Sequence, residues 1–458
     1  MNHKKLLLPL TLCLCALLCM VVTASASEVS VHTNHFSCGV VGCQNNDHGH
    51  TQVTEWQPWT GPQSASKDNI PYDSNTKTAY IYLANNVEIE DALTIPRGHT
   101  LYLCLNGHDI IRTGNLIQIQ EDASFTLCDC KGDKAEYGKL DSNKGGRVVS
   151  FESGKPGTFT MYGGIITGGN ITGNSGGVFV GDKNTFTMYG GTITGNRARY
   201  TGGGVVVYGA FNMYGGAITG NSAQEGGGGV AAHGTFTMYG GAITDNTCNG
   251  SYNGGGVYVK NGTWSTGAIT LSGNVQIKDN YKGSNSNKKP SNIYLDRNKT
   301  ITVAGPLTGS SIGVTTAAEP GTGSNVTFAN SSTNTIATGI FTPDTAGVLV
   351  GVAADGTSAY LYKCSHVYKW AYDEEYHWKK CTNVGCDSVE AGSKIAHTWD
   401  YPATYTAPKT CVCGATQGEP LTRSYYYYTA SAAENKKDSP KSADPGVLLY
   451  AGLALACL

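Results

Sequence analysis

The sequence predicts an all-β fold: a right-handed parallel β-helix, three-sided, with about eleven coils and small Cys/His-rich modules on its flanks. Three observations carry this. The phrase Thr-Phe-Thr-Met-Tyr-Gly-Gly begins at Thr158 and Thr185, returns with Ala and Asn substitutions at Ala210, and recurs at Thr235. Its methionines, Met161, Met188, Met213 and Met238, are spaced by 27, 25 and 25 residues, a period that belongs to stacked coils. Within each phrase apolar and polar residues alternate, the two-residue period of a strand with one buried face. Gly-Gly and Gly-Asn then punctuate each turn, supplying the backbone freedom that sharp corners need.

Each coil holds three strand segments. The first is Phe-Thr-Met, with Phe159 and Met161 inward and Thr160 and Tyr162 outward. The second is Ile-Thr-Gly-Asn, at Ile193–Asn196 and Ile218–Asn221, with Ile243-Thr-Asp-Asn246 as a variant. The third is Gly-Gly-Val-x-Val, with Val178 and Val180, Val205 and Val207, Val257 and Val259, and the reduced pair Val230 and Ala232. Coils spaced by about 4.8 Å place like on like. Asn196, Asn221 and Asn246 should therefore form an amide ladder at one corner, a structural device. Leu101–Leu103 and Phe125–Leu127 extend the pattern upstream. Ile269–Asn274, Ile293–Leu295 and Ile301–Val303 extend it downstream. The coils are expected over residues 78–362, a rod of about 50 Å.

The flanks divide further. Residues 1–26 read as a secretory signal: Lys4 and Lys5, an apolar run from Leu6 to Val22, and Ala24-Ser25-Ala26 as the cleavage site. Residues 27–77 form a Cys/His-containing segment and cap. His35, Cys38, Cys43, His48 and His50 there suit either a looser metal site or a polar lid over the open end. Residues 363–420 form a zinc-ribbon-like module, and 421–445 a polar spacer. Residues 446–458 are apolar and too few to cross a bilayer, which takes about twenty. They are expected to be the start of a longer anchor, or else to pack.

Charged residues make up 14 % of the 458-residue chain, net charge is −2, and no basic stripe occurs. Nucleic acid is therefore not an expected partner. The surface is neutral and polar, as suits an extracellular solenoid.

Candidate ligands for a structural metal are Cys381, Cys386, Cys411 and Cys413, with His377 or His397 substituting. Thiolate and imidazole in short paired spacings fit tetrahedral zinc. Disulfides or free thiols remain open for the same cysteines. Cys364 and His366 begin the same run. Cys104 and Cys128, 24 residues apart, should be outward-facing neighbours on adjacent coils, with Cys130 close by.

No catalytic residue is assigned. Between Phe159 and Gly262 the acidic residues are Asp182, Glu225 and Asp245, which occupy different phases of the repeat and should not converge. Asp109, Asp122, Asp129 and Asp133 form no paired geometry. A hydrolase or lyase would need a paired carboxylate or a calcium cluster. The outward column Tyr162, Tyr189, Tyr214 and Tyr239, flanked by Thr160, Thr187, Asn212 and Thr237, is the candidate carbohydrate platform. Its structural alternative is tyrosine's good fit to a pleated surface.

The repeats resemble those of large surface proteins of gut Firmicutes, described as right-handed β-helix repeat proteins. The carriers are Met213–Asn221, Gly254–Val259, the phrase Leu103–His108 with Thr126–Cys130, and the Cys/His run Cys364–Gly414. In outline they are similar to pectate-lyase-like folds and to chlamydial polymorphic membrane proteins. The resemblance implies fold and surface location, and little about activity. Ser439-Pro440-Lys441-Ser442-Ala443-Asp444 resembles the wall-sorting signals of Gram-positive bacteria, with Ser442 at the position where a sortase cuts. The expected protein is a secreted, wall-associated adhesin or structural rod contacting glycans or a host surface. The alternatives are a carbohydrate-active enzyme and an inert spacer.

Overall fold

A computed structural model describes residues 56–62, 70–130, 137–250, 254–262, 265–284, 287–321, 324–332, 336–383, 386 and 388–422. The signal segment, the histidines and cysteines between His35 and His50, Asp133, and the sorting-like motif with Ser442 lie outside these residues. The described chain is built of strands and turns and forms two compact units. One contains the coils and runs through Val367, together with 381–388, and the other comprises 368–380 and the residues from 389 onward.

The first unit is a parallel β-helix. Its repeat phrases pair in strict register: Phe125, Phe159, Phe186, Phe211 and Phe236 lie one above the next, as do Leu127, Met161, Met188, Met213 and Met238. The phenylalanine rings stack face to face, with centroids 5.1, 4.7, 4.6 and 5.0 Å apart. All are fully buried. Strand spacing dictates this distance, and parallel rings are the shape that fits it. The Ile-Thr strands form a second column in which Ile166, Ile193, Ile218 and Ile243 align. The Val-x-Val strands form a third, running Val149, Val178, Val205, Val230, Val257 and Ile293. One continuous apolar core fills the space between the three columns.

The corner after the Phe-Met strand needs glycine for two reasons. Gly216 has φ +84°, and a Cβ there would lie 2.6 Å from Met188 Cε of the preceding coil. Any side chain would be strained and would collide.

The asparagine ladder is present and longer than the repeat pattern indicates. Asn196 Nδ2 donates to Asn221 Oδ1, Asn221 to Asn246, Asn246 to Asn280 and Asn280 to Asn292, each at 3.0 Å. Each rung's backbone N–H donates to the same oxygen. Each of the first four amides also donates to an isoleucine carbonyl one coil back. The series ends on Asp344, which accepts from Asn292 Nδ2 at 2.6 Å and from its backbone N–H at 2.7 Å. Burial pushes the Asp344 carboxyl above its ordinary range, and its Asn292 and Thr315 donors partly offset this.

Three features add to the sequence reading. A fourth column of two-residue strands follows the ladder corner, at Asn170–Ile171, Arg197–Ala198, Ser222–Ala223, Thr247–Cys248 and Tyr281–Lys282. Ala198, Ala223 and Cys248 are buried there, and side chains this small leave little apolar signature. The coils begin before Thr78, because Gln57–Trp59 pairs in parallel with Ile81–Leu83 and buries Trp59. They also end before Tyr362. Ser358–Lys363 runs antiparallel to Val326–Asn330 and to Val348–Val352, so the last strands close the stack by antiparallel pairing.

Phe211→Ala opens a cavity between Phe186 and Phe236 and is expected to cost about 3–5 kcal/mol. Thr187→Ala on the outward side should cost less than about 1 kcal/mol. Chemical denaturation of both variants checks this, and equal losses would contradict the assigned faces.

Candidate metal centres and surface sites

Eight cysteine and histidine side chains gather into two quartets. Cys364, His366, Cys381 and Cys386 form the first, and His377, His397, Cys411 and Cys413 the second. In each, the candidate ligand atoms all lie within 4.8 Å of one another. The first quartet lies wholly in the unit that contains the coils, and the second wholly in the other unit.

The distances are those of a tetrahedral site. Metal bonds of about 2.0–2.3 Å give tetrahedron edges of roughly 3.3–3.8 Å. In the first quartet the Cys364 and Cys381 sulfurs are 3.6 Å apart, and Cys386 Sγ is 3.4 Å from His366 Nδ1. In the second, Cys411 Sγ is 3.2 Å from His377 Nδ1, and Cys413 Sγ is 3.5 Å from His397 Nδ1. A disulfide needs about 2.05 Å, and all nine cysteines among the described residues are free thiols.

Local structure orients these ligands. The Asn383 amide donates to Cys364 Sγ at 3.0 Å, as suits a thiolate. His397 Nε2 donates to the Asp373 carbonyl at 2.9 Å, which leaves Nδ1 as the lone-pair nitrogen toward the thiols. The His377 ring is buried and perpendicular to Trp370 at 4.8 Å. Burial opposes ionisation of Cys381, but the Asn383 amide, His366 and the Val367 amide outweigh it and bring the thiol down to about 6. Cys411 also comes down to about 6, with burial opposed by the Cys413 amide and by His397. The arrangement can hold a metal ion by thiolate and imidazole.

The single set Cys381, Cys386, Cys411 and Cys413 read from the sequence is therefore divided. Cys381 and Cys386 join Cys364 and His366, while Cys411 and Cys413 join His377 and His397. His377 and Cys381 share the strand Tyr376–Cys381, where four residues of extended chain span about 13 Å. They cannot share one ion. The signal that the sequence reading left unused was Cys364-Ser-His366, a short ligand pair that makes the total eight.

The tyrosine column is also assembled. Tyr162, Tyr189, Tyr214 and Tyr239 stack with centroids 5.0, 4.9 and 4.6 Å apart. Tyr214 and Tyr239 are 44 % and 40 % exposed, so ring edges and hydroxyls face solvent. Cys104 and Cys128 are register neighbours, as expected, yet both are fully buried rather than outward-lying. Trp56, Tyr80, Tyr82, Tyr102 and Tyr162 cover them. An apolar side chain on an outward position hides easily under a tryptophan contributed from outside the repeat.

The acidic residues are mostly structural. Asp129 is buried and accepts from the amides of Gly138 at 2.7 Å and Gly107 at 3.1 Å. Asp109 accepts from the Lys139 amide. Asp182 is exposed and shares a concavity of about 260 Å³ with Glu152, Phe151, Phe179 and Tyr208. The Arg147 guanidinium lies 4.8 Å above Phe179, and His233 stacks on Tyr208 at 4.6 Å. Burial, with Lys260 nearby, lowers the His233 pKa to about 4.

No family model, no curated protein and no solved structure matches this chain.

The histidine has a consequence for pH. An unfolded imidazole titrates near 6.5, whereas folded His233 stays neutral down to about 4. Between these values the unfolded chain binds the extra proton, so stability falls as pH drops through the window. His233→Gln is expected to lose less stability than the parent between pH 7 and 4.5. Parallel melting-temperature curves for the two proteins would contradict this.

Proposed function

We propose that this chain is a secreted cell-surface β-solenoid, an adhesin or structural rod that contacts glycans or a host surface along its tyrosine face. The observation that carries the reading is the four-ring stack Tyr162, Tyr189, Tyr214 and Tyr239. Rings stacked on one another turn their edges outward. What the column offers is a row of phenol hydroxyls at coil spacing, with Thr160, Thr187, Asn212 and Thr237 alongside. A linear polymer with a regular polar repeat, lying along the row, matches that pattern. The N-terminal signal and the sorting-like hexapeptide support export and sortase-mediated attachment to a wall. The similarity of the repeats to those of Firmicutes surface proteins points the same way. Zinc is the metal that best suits the thiolate and imidazole quartets, in a structural role.

One observation favours a second reading, a carbohydrate-active enzyme. Glu152 and Asp182 face one concavity floored by Phe179 and Tyr208, a combination of carboxylates and aromatic rings suited to a sugar.

Tyr189→Ser combined with Tyr214→Ser is expected to reduce glycan-array binding at least tenfold while leaving the fold intact. Unchanged binding to every glycan that the parent recognises would sink the adhesin reading. Release of sugar products that disappears in Asp182→Asn would favour the enzyme.

A further inference from the structure

The two quartets follow an interleaved order along the chain. Cys364 and His366 belong to the first, His377 to the second, Cys381 and Cys386 to the first, and His397, Cys411 and Cys413 to the second. We propose that the chain binds two structural zinc ions in a cross-braced arrangement, one held by three thiolates and one imidazole and the other by two of each. The proposal rests on the zinc reading above and adds to it the number of ions, the division of ligands and their mutual dependence.

Each quartet on its own has the edge lengths of a tetrahedral site: 3.6 and 3.4 Å in the first, 3.2 and 3.5 Å in the second. Each has a hydrogen-bonded support outside the ligand shell, from Asn383 to the Cys364 sulfur and from His397 to the Asp373 carbonyl. Ligands held in this way bind metal more tightly.

The interleaved order also couples the two sites. An ion joining His366 to Cys381 closes a chain loop that contains His377, a ligand of the other ion. An ion joining His377 to His397 closes a loop that contains Cys381 and Cys386. Each closure removes conformational freedom from a segment the other site must order. The second ion therefore meets ligands already confined by the first, and loading is cooperative. The chemistry is proton exchange alone. Five thiols give up those protons still bound at the working pH, and two dications take their place, without any electron transfer.

The two units differ in what their ion does. The first quartet brings Cys381 and Cys386 back against Cys364 and His366, just past the final strand of the solenoid, Ser358–Lys363. The second lies in the unit whose remaining strands are two to six residues long. A unit with so little sheet needs a staple.

The test uses the full chain, purified reduced and titrated with Zn²⁺ under native mass spectrometry. Two ions per chain are expected, and the singly loaded form should stay minor at one equivalent. Cys386→Ser and Cys413→Ser should each retain one ion, bound at least tenfold more weakly than in the parent. Co²⁺ in place of Zn²⁺ should give different charge-transfer spectra in the two variants, because the surviving sites have different thiolate counts. Far-UV circular dichroism of the coils checks that both variants are folded. A parent that binds one ion overturns the two-site division while leaving zinc in place. A parent that binds none overturns zinc itself, and a mass lower by 2 Da per cysteine pair in a second sample purified without reductant shows disulfides in its place. A dominant singly loaded species overturns the cross-brace. None of these results touches the tyrosine platform, which the glycan array tests separately.

Discussion

Everything in the coil-bearing unit depends on in-register parallel stacking. A parallel β-helix has no turn chemistry that by itself fixes how one coil sits on the next. A slip of one residue would turn every inward side chain outward. Two devices hold the register. The apolar one is the column of like residues, with Phe above Phe and Met above Met, which tolerates small slides. The polar one is the asparagine ladder, which tolerates none. Each buried amide must donate to the next rung and to an isoleucine carbonyl one coil back, and unmet buried donors cost about 1–3 kcal/mol each. The ladder is also polar along its length. Every rung donates in the same direction, and the series ends on a carboxylate, Asp344, which can only accept.

The repeated part of this fold was legible in the sequence because stacked coils repeat their residues. The three columns, the inward and outward faces of Phe159, Met161 and Tyr162, and the first three ladder residues follow from period and alternation. What failed to show is what stands outside the repeat. Asn292 follows Asn280 by only twelve residues and Asp344 follows by fifty-two more, so neither keeps the period. Gln57–Trp59 joins the first column without any copy of the phrase. The closing antiparallel strands looked like further coils, since apolar alternation is the same in parallel and antiparallel strands.

The two Cys/His quartets were half legible, and for a different reason. Sequence spacing identified candidate soft ligands in short pairs, and pairs such as Cys411-Val-Cys413 do fall in one quartet. It could not say which pairs join. That depended on an extended strand carrying His377 and Cys381 apart from each other, and on Cys364 and His366 at the exit of the solenoid supplying the missing ligands. The tyrosines expected in an outward column do stack on one another, with Tyr214 and Tyr239 exposed. The solenoid's stability lies inward, and the tyrosine hydroxyls lie outward on side chains that the core does not need.

The central claim is that the ladder's donors hold the register, and Asn221→Asp measured against pH tests it most directly. A carboxylate at this position can still accept from Asn196, but its oxygen faces Asn246 Oδ1 and the Ile193 carbonyl. The ionised form is therefore resisted in the fold, and the folded pKa is raised. Stability relative to the parent should fall as pH rises from about 4 toward 7, by about 1.4 kcal/mol for each unit of that rise in pKa. A loss below about 0.5 kcal/mol, equal at pH 4 and pH 7, is what an ordinary surface position gives. That result would contradict the account.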